Sequence, residues 1–210
     1  MKNQAYHILK RNFITEANRL LQKNERRSFE VDDDNRKFLD MMFLYFSKST
    51  DFETKYSGRL HKGLYVYGVN GVGKSLFFEV LENLYRRFLH KSLAVKTHNV
   101  LTIVDSYRKY LSNSNLAQND KTPFQFYATS TVHFEDLGKD HRINHWGNKV
   151  DVMDELLCIR YLEFRKRRMN TYISSNLTIE GLKKRYSPEL YDRFFEMYNF
   201  IELPGKTRRK

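Results

Sequence analysis

Gly63-Leu64-Tyr65-Val66-Tyr67-Gly68-Val69-Asn70-Gly71-Val72-Gly73-Lys74-Ser75, residues 63–75, is a short apolar run that breaks into glycines and ends on Lys-Ser. Residues 68–75 fit the pattern G-x-x-x-x-G-K-[ST] at every position. The glycines permit positive φ and let the backbone approach an anion closely. The segment Gly68, Val69, Asn70, Gly71, Val72, Gly73, Lys74, Ser75 and Leu76 is therefore expected to present successive amides to phosphate at a helix N-terminus. Lys74 would reach the β- and γ-phosphates, and the Ser75 hydroxyl would ligate Mg2+. A chance match has no such setting: here an apolar strand precedes the motif and the amphipathic residues 76–89 follow it as a helix.

Two further segments supply what a phosphate loop needs for hydrolysis. Val132-His133-Phe134-Glu135-Asp136-Leu137-Gly138 is a strand that ends in two carboxylates. By position Glu135 would hold Mg2+ together with Ser75, and Asp136 would orient the attacking water. The common order is Asp then Glu. The inversion leaves the water-directed carboxylate one methylene short, so slow or partner-dependent turnover is expected; either carboxylate can also cap the segment that follows. Thr171-Tyr172-Ile173-Ser174-Ser175-Asn176 is a strand with a polar tip. Asn176, with Ser175 behind it, is placed to meet a γ-phosphate or the water, and Asn equally suits the N-cap of a helix opening near Thr178.

Outward from these segments the chain alternates. Strands are expected at residues 64–67, 92–97, 131–134, 171–174 and 200–203, and helices at 76–89, 100–111, 150–165, 179–185 and 189–198, the last two split by Pro188. Residues 112–123 read as a loop, as do 138–149. This is the pattern of an α/β fold with a mostly parallel sheet covered by helices on both faces. Residues 1–57 differ. Ile8, Phe13, Ile14, Ala17, Leu20 and Leu21 recur at helical spacing, and Asp32-Asp33-Asp34-Asn35 caps a second helix through Phe38, Leu39, Met42, Phe43 and Phe46. Residues 47–58 read as a polar linker. The expected organisation is a helical N-terminal extension, 1–57, followed by a P-loop domain, 58–210.

The chain has 210 residues, 40% of them hydrophobic and 30% charged, a soluble globular balance. It lacks any apolar run of about 18 residues, and its first residues carry no apolar leader, so a cytoplasmic protein without a membrane span is expected. Cys158 is the single cysteine, which excludes a disulfide framework and a cysteine-based zinc site. The net charge of +12 favours polyanionic partners. Basic residues gather at Arg86-Arg87, at Arg165-Lys166-Arg167-Arg168, at Lys183-Lys184-Arg185 and in residues 206–210. Tyr107, Tyr110, Tyr127 and Tyr161 are candidates for stacking on nucleic-acid bases. His133 reads as structural, and His141 and His145 have no metal-ligand spacing.

Together, residues 62–75, 134–138, 171–176 and 188–197 resemble the DnaC/IstB branch of AAA+ ATPases, which includes helicase loaders and transposition helper ATPases. The resemblance covers about residues 60 to 205. It implies an AAA+-like sheet with the phosphate-loop strand central, ATP with Mg2+ as cofactors, and ATPase activity. It implies that Asn176 is the γ-phosphate sensor, and that Arg193, in Pro188-Glu189-Leu190-Tyr191-Asp192-Arg193, is an arginine finger serving a neighbouring subunit in an ATP-dependent homo-oligomer. Arg193 can instead pair with Asp192 or Glu189 on a solvated helix. The partners implied are a replicative helicase or a transposase, with single-stranded or duplex DNA, and residues 1–57 would be the partner-binding arm. No C-terminal lid is evident: residues 205–210 read as a basic mobile tail, although Arg208 or Arg209 can reach a nucleotide. The rival readings are a transposase-assisting ATPase, a nucleotide-gated adaptor with little turnover, and a P-loop kinase with Arg142 as a lid residue.

Overall fold

The structure, a computed structural model, describes residues 2–88, 94–112, 122–145 and 148–209. Helices α1 (Lys2–Glu25), α2 (Asp33–Phe46) and α3 (Asp51–Tyr56) precede strand β1 (Gly63–Tyr67). Then come α4 (Lys74–Phe88), β2 (Lys96–Asn99), α5 (Val100–Ser112), α6 (Pro123–Ala128) and β3 (Val132–Leu137). A hairpin of β4 (Ile143–His145) and β5 (Asn148–Val150) leads to α7 (Val152–Arg167), β6 (Thr171–Ser175), α8 (Ile179–Arg185), α9 (Pro188–Met197) and β7 (Tyr198–Glu202). The main sheet has five strands in the order β2-β3-β6-β1-β7, every pair parallel. β1 is an inner strand, one place from the edge, and β6 holds the middle; the expectation of a central phosphate-loop strand is corrected to that extent.

Strand alternation sorts the core into two layers. Leu64 and Val66 of β1, with Tyr172 of β6, face a cluster built from α1, α2 and α4. Tyr65, with Phe134 and Ile173, faces a second cluster from α5, α7 and α9. In the first layer Phe77 of α4 is the hub. Phe13 of α1, Phe38 and Phe46 of α2 lie with ring centroids 4.8, 5.5 and 6.1 Å from it. The apolar stripe of residues 1–57 is thus spent on the helix that follows the phosphate loop. α2 opens on Asp32, which forms a reciprocal capping box with Asn35.

Two loop expectations are corrected. Residues 51–56 within the supposed linker form α3, because Phe52 is buried against Tyr45 and Gly58. A helix of 6 residues is too short to show a 3.6 period. The supposed 138–149 loop gives way to the β4–β5 hairpin, whose second strand runs to Val150. Residues 123–128, where no element was expected, form α6, capped by Thr122, and residues 113–121 of the 112–123 loop lie outside the described residues. β2 starts at Lys96, beyond the apolar residues that suggested a strand at 92–97; it is a polar edge strand, and residues 92–93 lie outside the described residues. Pro188 does more than separate two helices: it is the first residue of α9, whose N-cap Ser187 accepts from the Leu190 amide.

Two buried polar side chains tie helices to the sheet. His133 stacks on Phe78 at 3.7 Å and shares hydrogen bonds with Thr97 and Ser174 on the flanking strands. Burial drives its imidazole down to about 3, so it is neutral, as a structural histidine should be. Arg160 of α7 is fully buried and has no carboxylate partner among the described residues. It donates instead to the carbonyls of Ala128, Ser130 and Asn170 and to Thr171 Oγ1, at 2.7–3.0 Å. Removing it leaves those acceptors buried and unpaired, so Arg160→Ala should cost about 3–5 kcal/mol, read as a loss of unfolding free energy in urea. A loss near zero would mean that water replaces the guanidinium.

Candidate nucleotide-binding site

Parallel strands deliver their C-terminal ends to one side of the sheet, and there three adjacent strands bring the expected residues together. The loop after β1 contains Gly71 at φ 79° and Gly73 at φ 112°, both in the left-handed region. A Cβ on Gly73 would meet only open space, so this position is glycine for its backbone angle and not for want of room. Val72 is buried and anchors the loop to the first core layer, while Val69 and Asn70 are exposed.

Lys74 is buried at the start of α4, and its ammonium donates to Gly68 O (2.7 Å), Val69 O (2.9 Å) and Asn176 Oδ1 (2.8 Å). Asn176 in turn donates from Nδ2 to Asn70 Oδ1 at 2.8 Å. The helix that follows is capped by Thr178, so Asn176 is not its N-cap and both ends of its amide face the phosphate loop. Ser175 is buried and accepts from the Leu177 amide while donating to Leu137 O, which fixes the strand tip that carries Asn176.

β3 and β6 lose register between Phe134 and Leu137, and Glu135 and Asp136 lie in that irregularity. Bulges of this kind re-aim side chains beside functional sites. Asp136 has φ 65°; its Oδ2 accepts from Lys139 Nζ at 2.9 Å and from Asn99 Nδ2 at 3.5 Å. The turn beyond is held by Asp140, which accepts from the Gly138 amide, so neither Glu135 nor Asp136 serves as that cap. Glu135, Asp136, Asn176, Lys74 and Ser75 all line one cavity of about 520 Å³.

The other wall of this cavity comes mainly from the N-terminal helices. It consists of Phe13, Leu20 and Leu21 of α1, residues 27–30, and Asn35, Phe38 and Leu39 of α2, closed at the rim by Leu203, Arg208 and Arg209. In the sequence those apolar residues carry only a helical stripe, which says that they are buried and not against what. An apolar slot beside a phosphate loop suits a purine base. The polar end fits a triphosphate: open space at Gly73 and a buried ammonium.

Burial, reinforced by the charges of Lys139 and Arg209 and opposed by Asp136, brings Lys74 down to about 8. An unfolded lysine titrates at about 10.4, so between the two values the unfolded chain holds more protons. Stability contributed by this group is therefore lowest below about 8 and rises as pH climbs through that window. A polyanion acts oppositely, because it favours the ammonium. ATP affinity should fall as pH rises above about 8, and binding there should take up a proton. Calorimetry in buffers of different ionisation heat measures that uptake directly; a heat independent of buffer would contradict it.

Arg193 does not line this cavity. It lies on α9, where its guanidinium pairs with Glu189 and stands 4.7 Å over the Tyr161 ring. Several other expectations change. Tyr127 is buried and accepts from Arg160 through its carbonyl, so it offers no face to a base. Tyr107 stacks on Phe124 at 4.7 Å. Arg142 is tied to Asp151 at 3.2 Å beside the hairpin, and Arg185 is drawn inward to Asp140 and Asp151. His141 meets Arg108 at 2.9 Å, and the His145 side chain lies outside the described residues. Residues 207–209 pack on the phosphate loop instead of trailing from it: the Arg208 amide donates to Gly71 O at 2.9 Å. No helix among the described residues is long and apolar enough to cross a membrane.

The sheet order, the glycine loop after an inner strand and the acidic and polar tips of its neighbours are the architecture of an α/β P-loop fold. No protein-family model and no curated protein matches the chain in sequence. Among solved structures, DnaI superposes with a TM-score of 0.56 at 20% identity over 86% of this chain and 88% of that one. The DnaC helicase loader gives 0.56 at 16% identity over 83% and 92%. AMPPCP-bound DnaA from Aquifex aeolicus gives 0.55 at 16% identity, over 86% of this chain and 50% of DnaA. At these identities the likeness establishes the shared fold.

Proposed function

We propose that the chain is an ATP-binding, Mg2+-dependent ATPase that acts in DNA replication as a helicase loader, its subunits assembling when ATP is bound. The observation that carries this is the meeting of Lys74, Asn176, Glu135 and Asp136 in one cavity at the ends of three adjacent parallel strands. The likeness in fold to DnaI and the DnaC helicase loader favours loading over other uses of a phosphate loop. The loop amides and Lys74 would hold the phosphates, and Ser75 and Glu135 would hold Mg2+. Bound there, the metal would supply charge neutralisation on the transferring phosphoryl group. Asp136 and Asn176 would position water, and Arg193 would reach the neighbouring subunit's site. The outward side of α1, within residues 1–57, is the proposed partner-binding arm.

A nucleotide-gated adaptor with little turnover is the second reading. It is favoured by Asp136, whose carboxylate is short and already engaged by Lys139. Both readings are tested by measuring ATP hydrolysis with and without single-stranded DNA, and by capture of a replicative helicase or a transposase on the immobilised chain with and without ATP. DNA-stimulated turnover with helicase capture supports a loader. ATP-dependent capture without turnover supports the adaptor, and capture of a transposase alone turns the reading toward transposition.

A further inference from the structure

The C-terminal residues 206–209 make contacts that a solvated basic tail has no reason to make. The Arg208 amide donates to Gly71 O, inside the phosphate loop. Thr207 lies so close to that loop that a Cβ on Gly71 would stand 2.3 Å from Thr207 Oγ1. The Arg208 guanidinium makes a two-pronged ion pair with Asp32, at 2.5 and 3.0 Å, and holds that carboxyl below its usual range. Asp32 is the N-cap of α2, which forms the opposite wall of the cavity. The tail thus bridges the two walls at the cavity mouth. Arg209, exposed and next in sequence, lines the same cavity, and its charge reaches the Lys74 ammonium.

We infer that residues 206–209 are a strap across the mouth of the nucleotide cavity, buckled by the Arg208–Asp32 ion pair, which positions Arg209 as a second cation toward the phosphates of a bound nucleoside triphosphate. The inference rests on the cavity being a nucleotide site. Arg208 and Asp32 are positioning residues: they act by joining the phosphate loop to α2. The bidentate geometry fixes the direction of the strap, as a lysine in place of Arg208 would not. The strap discriminates by phosphate number, because Arg209 adds charge at the phosphate end of the cavity and nothing at the base end.

The test compares ATP with AMP. Asp32→Ser keeps a side-chain acceptor for the α2 cap while removing the carboxylate. Asp32→Ser, Arg208→Ala and Arg209→Ala should each weaken ATP binding about tenfold and leave AMP binding unchanged. The double variant Asp32→Ser/Arg208→Ala should be no weaker than either single one, since both break one buckle. Trypsin trimming at Lys206 and Arg209, followed by mass, should be slowed by ATP in the wild-type chain and not in Asp32→Ser. Wild-type ATP affinity in all three variants, or equal losses for ATP and AMP, would overturn the strap. If the wild-type chain binds no ATP, the nucleotide reading falls and takes the strap with it; Lys74→Ala, run alongside, separates the two failures.

Discussion

Lys74→Ala is expected to reduce ATP affinity at least about a hundredfold while the chain stays folded. The ammonium donates to two carbonyls of its own loop and to Asn176. Those contacts keep a buried charge satisfied in the lining of the cavity that Gly73 also lines, where a phosphate would compete for it. Charge-assisted hydrogen bonds are worth about 1.5–3 kcal/mol each, and two lost to phosphate give about a hundredfold or more. The fold should tolerate the change because the freed carbonyls lie beside the open mouth of the loop and can turn to water. A Lys74→Ala chain that binds ATP like wild type would mean that the cavity is not the nucleotide site. A chain that fails to fold would show instead that the ammonium's three contacts hold the loop.

Arg193→Ala is expected to leave ATP binding intact and to lower turnover by about a thousandfold, the lower end of what an arginine acting in trans supplies. Within one subunit Arg193 is remote from the cavity lining and engaged by Glu189 and Tyr161. Its exposed i,i+4 partner is weak, so the guanidinium can leave Glu189 for a phosphate at little cost. Glu189→Ala is the control: it frees the arginine without removing it, and turnover should be kept. Unchanged turnover in Arg193→Ala would confine the residue to pairing on its own helix surface.

The parts of this protein that were legible in the sequence are those where one local rule governs. The phosphate loop is written in glycines, the α2 start in Asp32 and Asn35, and the buried strands in short apolar runs. What was missed depended on tertiary partners. α3 exists because Phe52 finds a pocket, and β2 is a strand because β3 offers it an edge; neither has a period to read. The apolar wall of the cavity was visible only as a helical stripe on residues 1–57. The strap was hidden for the opposite reason. Residues 206–209 carry the composition of a solvated tail, and only partners far away in sequence, Gly71 and Asp32, show otherwise.

The most direct test of a site shared between subunits is a mixing experiment: ATP hydrolysis by equal amounts of Lys74→Ala and Arg193→Ala chains, each inactive alone. Where an Arg193→Ala subunit supplies the phosphate loop and a Lys74→Ala neighbour supplies the arginine, one complete site forms. Turnover should reappear on mixing and rise with total protein concentration. Two inactive proteins that remain inactive at every concentration, while the wild type turns over, would contradict it.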